Sequence, residues 1–282
     1  MAIVYYNQSY EKSKNILKDE SVDLFFLDPP YFISSKKKEI NLVNGDRSDW
    51  DNQWTTKEKY YDWIEDALKL AYTQLKNTGS LYICITWQHS AMFHMLLEKV
   101  GFNIQNRITW KRDKGRGSRK NWKSMHEDIF FATKHPTNYI FNVQMIEKEI
   151  VAPYTNEDGT PKGWWISKSG KKIRLTYPGN IWNDICVPYW SMHEVKSYAK
   201  TKRTPDNIFQ KHNTQKSKKM VKRCILASSN KGDLVVDYFS GSGTTAIAAE
   251  EAGRDSIVFE INENYIKILQ KRIEIELKNK TT

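Results

Sequence analysis

The stretch Leu234-Val235-Val236-Asp237-Tyr238-Phe239-Ser240-Gly241-Ser242-Gly243-Thr244-Thr245-Ala246 decides the fold. A short apolar run ends at an aspartate, turns with Gly-x-Gly-x-x-Ala spacing and passes into a helix-forming segment. Strand, glycine turn and helix in that order let backbone pass close to a nucleoside-bearing ligand. Seventeen residues beyond Gly243, Glu260 ends the next apolar run, where a carboxylate can accept hydrogen bonds from two ribose hydroxyls. A nicotinamide dinucleotide and S-adenosylmethionine satisfy this much equally. Position separates them: a dinucleotide fold starts with its glycine turn, whereas only about forty residues follow Gly243, so the rest of the sheet comes from upstream.

Upstream, residues 22–27 form an apolar block stopped by Asp28-Pro29-Pro30-Tyr31. This predicts a strand buried on both faces that ends where prolines remove ladder donors. From Thr55, a capping-box pattern with Glu58 opens a helix with apolar residues at helical spacing, and Gly79 is its expected stop. Strands are expected over 81–85, 104–110 and 128–132, with a helix over 91–100. Downstream come a helix over 214–229, the strands 234–237 and 257–260, and a last helix from Asn262. Strands alternating with helices predict an α/β fold with a mainly parallel, doubly wound sheet. Between residues 137 and 205 the rhythm is lost among prolines and glycines. That segment reads as an inserted irregular lobe with Trp164, Trp165, Trp182, Tyr189 and Trp190 exposed. The chain thus divides into 1–136, the lobe 137–205, and 206–282.

Aromatic residues make up 13% of the 282-residue chain, too much packing material for disorder. A net charge of +11 that clusters points to a polyanionic partner. Cys84, Cys186 and Cys224 are scattered, and the six histidines show no ligand spacing, so no metal site is expected. No run of eighteen apolar residues and no leader pattern occurs, which predicts an intracellular protein without membrane attachment.

If the strand before Asp28 lies beside the strand before Asp237, both motifs open into one crevice at the carboxyl edge of the sheet, where such folds bind ligands. Asp28-Pro29-Pro30-Tyr31 then makes chemical sense. An exocyclic base amine is a poor nucleophile because its lone pair is spread into the ring. The Asp28 carboxylate and the Pro29 carbonyl can each accept one amine hydrogen, Pro30 helps stiffen the loop, and Tyr31 can stack on the base. A base inside a duplex must be flipped out to reach such a pocket, at a cost on the order of a few kcal/mol.

These motifs resemble the amino-methyltransferases of DNA, in the circularly permuted group where the catalytic motif comes first and the cofactor motif last. The family shows His-Pro-Thr-Gln-Lys-Pro before Asp-Pro-Phe-x-Gly-Ser-Gly-Thr-Thr; here stand His212-Asn213-Thr214-Gln215-Lys216-Ser217 and Asp237 through Thr245, with the prolines replaced at 213, 217 and 238. The resemblance implies a Rossmann-like S-adenosylmethionine-dependent fold in which residues 137–205 recognise the target. It implies Thr214, Gln215 and Lys216 near the methionine end of the cofactor, and Asp28, Asp237, Phe239, Ser240, Gly241, Ser242, Gly243 and Thr244 around it. Glu260 is implied at the ribose, and Gln8, where relatives carry an acid, near the adenine. Asp-Pro-Pro-Tyr usually accompanies adenine N6 methylation, with cytosine N4 as the alternative. More distant readings are a nicotinamide oxidoreductase, which leaves Asp28 to Tyr31 idle, and a non-catalytic DNA-binding protein, which leaves Gly241 to Glu260 idle. Further implied are a sequence-specific enzyme of restriction-modification type, bacterial or phage-like, cytoplasmic and nucleoid-associated, acting on duplex DNA, forming a homodimer and sharing its site with a cognate endonuclease.

Between residues 111 and 123 stand seven basic residues, Lys111, Arg112, Lys114, Arg116, Arg119, Lys120 and Lys123, against the single acid Asp113. Interrupted by glycines and Trp122, this reads as a phosphate-binding loop with steep salt dependence. Base readout is expected from the lobe, with Lys171, Lys172, Arg174, Asn180, Asn183 and His193 as donors and acceptors. Residues 33–54, after the catalytic tyrosine, are a second exposed candidate that could close over the base.

Overall fold

The computed structural model describes residues 2–32, 53–112, 120–150, 153–185 and 215–277. Eight strands make up the main sheet: β1 (Ile3–Tyr6), β2 (Val22–Leu27), β3 (Leu75–Ile85), β4 (Asn103–Lys111), β5 (His126–Thr133), β9 (Ile181–Trp182), β10 (Leu234–Asp237) and β11 (Asp255–Phe259). They run in the order β1-β11-β10-β2-β3-β5-β4-β9. Pairing is parallel from β1 through β3 and antiparallel only where β5 lies between β3 and β4. The mainly parallel α/β fold expected from the sequence is the one found.

Alternation along the central strands explains why both faces are covered. Phe25, Leu27, Leu81, Ile83 and Val236 pack on one face with α1 (Lys57–Gln74) and α2 (Ser90–Val100). Leu24, Phe26, Tyr82, Cys84 and Val235 face the other way, onto α3 (Lys218–Ser228) and α4 (Thr244–Ala252). Successive strand side chains point to opposite faces, so a strand buried on both sides must be apolar throughout. The last helix, α5 (Glu263–Arg272), seats Ile266 and Leu269 on Ala246 and Val258.

Several boundaries differ from expectation. Thr56, not Thr55, caps α1, accepting from the Lys59 amide. Gly79 does not end that helix: Leu75 turns extended immediately, and Gly79 lies inside β3, where a Cβ would meet the Leu75 side chain at 2.5 Å. Gln215 and Lys216 do not join α3, because Ser217 takes the extended cap conformation. The lobe is not wholly irregular. β6 (Ile146–Glu149), β8 (Lys172–Thr176) and β7 (Trp165–Ile166) form a small antiparallel sheet, and β9 returns to pair with β4. Trp182 is buried, with the Arg223 guanidinium 5.0 Å above its ring. Tyr189, Trp190 and His193 lie outside the described residues. No described helix is long and apolar enough to cross a membrane.

Candidate active site

Strand direction gathers the site. β1, β11, β10 and β2 run parallel, so Gln8, Glu260, the turn after Asp237 and Asp28 all leave the sheet at one edge. β10 and β2 are direct neighbours, pairing Val235 with Leu24 and Val236 with Phe25. Because β5 is antiparallel to both β3 and β4, it enters at this same edge, bringing Glu127, while β4 leaves there with Lys111 and Arg112.

On the β10 side, Asp237 builds the turn. Its carboxylate accepts from the Phe239 amide at 2.9 Å and from the Thr245 hydroxyl at 2.5 Å, and burial pushes its pKa up to about 7. Gly243 adopts φ +79°, and a Cβ there would lie 2.0 Å from Leu269 Cδ1, so any other residue would be strained and would have to displace the Leu269 side chain. Glu260 accepts the Gly241 amide on Oε2 and the Asn262 amide on Oε1, both at 2.8 Å. Burial raises its pKa against the pull of those amides. Each oxygen keeps a second lone pair for another donor. Asn7 ties β1 to β11 by donating to the Glu260 and Ile261 carbonyls, while Gln8 stands exposed beside it.

Phe239 is walled by Trp63 and Tyr10, with ring centroids 5.2 and 5.6 Å away. The Ser242 hydroxyl donates to Gln215 Oε1 at 3.2 Å. From α5, the buried Arg272 grips the loop with Nη1, donating to the Ser242 carbonyl at 2.9 Å and the Thr244 hydroxyl at 3.0 Å. The Ser240 hydroxyl is buried with no hydrogen-bond partner among the described residues. A carboxylate with spare lone pairs, an unpartnered hydroxyl and an aromatic wall form a donor and acceptor set that fits a nucleoside-bearing cofactor.

On the β2 side, the Tyr60 hydroxyl donates to the Pro30 carbonyl at 2.7 Å, pinning the proline loop to α1. Asp28 Oδ1 accepts from the Tyr31 hydroxyl at 2.9 Å and lies 3.0 Å from the Lys216 ammonium. Lys216 also donates to the Tyr31 hydroxyl at 2.7 Å and to Glu127 Oε2 at 2.9 Å, and sits 4.8 Å above the Tyr31 ring. Arg112 contacts the other Glu127 oxygen. Burial pushes the Asp28 carboxyl up, only partly offset by Lys216. Glu127 is held below the usual range despite burial, by Lys216 and Arg112. Lys216 is buried yet pushed above the usual lysine range by its two carboxylates. The described contacts of the Lys216 ammonium are thus with the catalytic-motif side of the crevice.

Of the basic run, Lys111, Arg112, Lys120 and Lys123 are described; Lys114, Arg116 and Arg119 lie outside the described residues, as do Thr214 and residues 33–52. Among the described residues no group of three metal-ligating side chains occurs. Sequence reasoning missed Glu127, Tyr60, Arg272 and Asn7. Glu127 carried no signal, standing just before an expected strand, and the other three serve the site only by reaching it from distant elements.

The chain matches the DNA methylase family over residues 22–271. It is 32% identical over 257 residues to DNA adenine methyltransferase YhdJ of Escherichia coli, covering 91% of this chain and 77% of that one. It is 29% identical over 266 residues to type II methyltransferase M.HpaI of Haemophilus parainfluenzae, covering 94% and 72%. Among solved structures it resembles the M1.HpyAVI-SAM complex, with TM-score 0.60 and 18% identity over 97% of this chain and all of the other. With the family's pattern present from β2 to α5, the chain belongs to the DNA methylase family.

Proposed function

We propose that the protein is a sequence-specific DNA methyltransferase that methylates adenine N6 using S-adenosylmethionine. One observation carries the reading: the Asp28-Pro29-Pro30-Tyr31 loop and the Asp237 to Gly243 turn leave neighbouring parallel strands at the same sheet edge. A base amine and a methyl donor held by these two loops would meet in one crevice. The adenine assignment is supported by Asp28 at the first position of the motif and by the relative named an adenine methyltransferase.

S-adenosylmethionine, when bound, would supply an electrophilic methyl group for N6 and leave as S-adenosylhomocysteine, the proton lost from the amine going to solvent. Glu260 would hold the ribose, with Phe239, Ser240, Gly241, Ser242 and Thr244 about the remainder and Gln215 steadying Ser242. Asp28 and the Pro29 carbonyl accept the two amine hydrogens and draw the lone pair out of conjugation, while Tyr31 supplies the stacking surface for the flipped base. Lys111, Arg112, Lys120 and Lys123 root the phosphate contacts, and the lobe over residues 137–205 reads the bases. Partnership with a cognate endonuclease, pairing into a homodimer and residence on the bacterial nucleoid complete the proposal; the relative named as a type II methyltransferase supports the restriction-modification context.

DNA methylated by the purified protein, digested to nucleosides and examined by mass spectrometry, should contain N6-methyladenine. N4-methylcytosine would overturn the base assignment, and methylation retained by D28A would overturn the mechanism.

A further inference from the structure

The Lys216-Glu127 pair lies against the reacting side of the crevice, although its two residues come from strands and segments far apart in the chain. Among the described residues, every hydrogen bond or ion pair to the Asp28 carboxylate falls on Oδ1: the Tyr31 hydroxyl at 2.9 Å and the Lys216 ammonium at 3.0 Å. An aspartate carboxyl rotates over a broad, roughly two-fold profile, so its two oxygens are equivalent until something distinguishes them. Two donors on one oxygen do so.

We propose that Lys216 and Glu127 are positioning residues for Asp28, saturating Oδ1 so that Oδ2 is the acceptor presented to the base amine. The inference rests on the reading of Asp28 as an amine acceptor. A free lysine side chain would not suffice, because its flexible four-carbon stem samples many rotamers. Here the ammonium has three anchors: Asp28, the Tyr31 hydroxyl and Glu127 Oε2. Glu127 is itself fixed, since Arg112 takes its other oxygen and both Lys216 and Glu127 are buried.

The second carboxylate also sets the charge. One ammonium facing Asp28 alone would neutralise it and weaken it as an acceptor; shared with Glu127, it leaves Asp28 with more of its negative character. Arg112 and Lys216 against Asp28 and Glu127 balance to zero, so burial leaves no uncompensated charge. The charged or titratable groups acting on Asp28 are Lys216, Glu127 and Tyr31, with Cys84 and Asp237 also coupled to it.

The test compares K216M, E127Q and K216R with the wild type by kcat, KM for DNA, the pH profile of kcat, and S-adenosylhomocysteine affinity by calorimetry. K216M should lose kcat by about 100-fold, the scale of a misplaced reacting group, with S-adenosylhomocysteine affinity unchanged. Removing Lys216 takes away a charge that favours ionised Asp28, so the acid limb should move to higher pH in K216M. Removing Glu127 takes away a charge that opposes ionisation, so in E127Q the limb should move to lower pH. K216R keeps the charge but loses the single-point geometry; it should keep the wild-type limb and lose kcat, and it carries the test should K216M fail to fold. Unchanged kcat in the lysine variants, acid limbs that stay in place in K216M and E127Q, or cofactor-product affinity falling in step with kcat would each overturn the proposal. Turnover retained by D28A would instead overturn the reading beneath it.

Discussion

The Tyr60 hydroxyl donates to the Pro30 carbonyl at 2.7 Å, joining the first helix to the loop that carries the catalytic motif. Proline stiffens a loop internally but does not tie it to the body of the protein. Tyr60, fully buried among Phe32, Trp54 and Phe93, supplies that tie.

Y60F keeps the ring and removes only this donor. A hydrogen bond of this kind is worth about 1 kcal/mol, so kcat should fall by roughly fivefold to tenfold as the loop loosens, with S-adenosylhomocysteine affinity unchanged. Steady-state kinetics beside calorimetry check it, and a loss of affinity without a loss of kcat would contradict it.

Arg272 presents the complementary case. Its guanidinium holds the Ser242 carbonyl and Thr244 hydroxyl from behind and is paired with Glu276 at 2.8 Å. R272M leaves the buried Ser242 carbonyl without this donor, while Glu276 keeps Lys218 at 3.0 Å, and a buried acceptor left unsatisfied costs about 1–3 kcal/mol. The melting temperature should drop by several degrees, and S-adenosylhomocysteine should bind more weakly because Ser242 is no longer fixed. Equal affinity in the variant would show that the loop holds its shape unaided.

Asp237 gives stability a pH dependence opposite to that of most carboxylates. Its folded pKa, raised to about 7 by burial, lies above the ordinary carboxylate value of about 4, so the folded state keeps a proton that the unfolded chain has released. Its contribution is greatest below pH 4, declines as pH rises toward 7, and levels off above that. D237N cannot ionise, so its melting temperature relative to wild type should climb across this window and then plateau. A constant difference from pH 4 to 8 would mean that Asp237 is ionised throughout.

Lys120 and Lys123 are exposed within the basic run proposed to contact DNA phosphates. For the double variant K120A/K123A, the slope of log affinity against log salt should become shallower by about 2, at roughly 0.9 for each phosphate no longer neutralised. Affinity at low salt should fall equally for different DNA sequences. An unchanged slope would place the phosphate-binding residues elsewhere.

By itself the sequence determined the α/β layout, the two motif-bearing strand ends and their permuted order. Residues 22–27 could be read because a strand buried on both faces must be apolar throughout, and the glycine turn because Gly243 occupies a left-handed conformation and a tight space that favour glycine. Those are local requirements, written in consecutive residues. Helix ends were less legible: Gly79 looks like a stop, yet its place inside β3 is set by packing against Leu75. What only the tertiary structure decided is the company Asp28 keeps. Glu127 meets Lys216 across 89 residues because β5, running antiparallel, starts at the edge where its neighbours end, and strand direction of that kind leaves no mark on the residues around Glu127. Arg272 reaches Ser242 and Tyr60 reaches Pro30 for the same reason: contacts between elements are fixed by how the sheet orders its strands and how the helices fold back onto it.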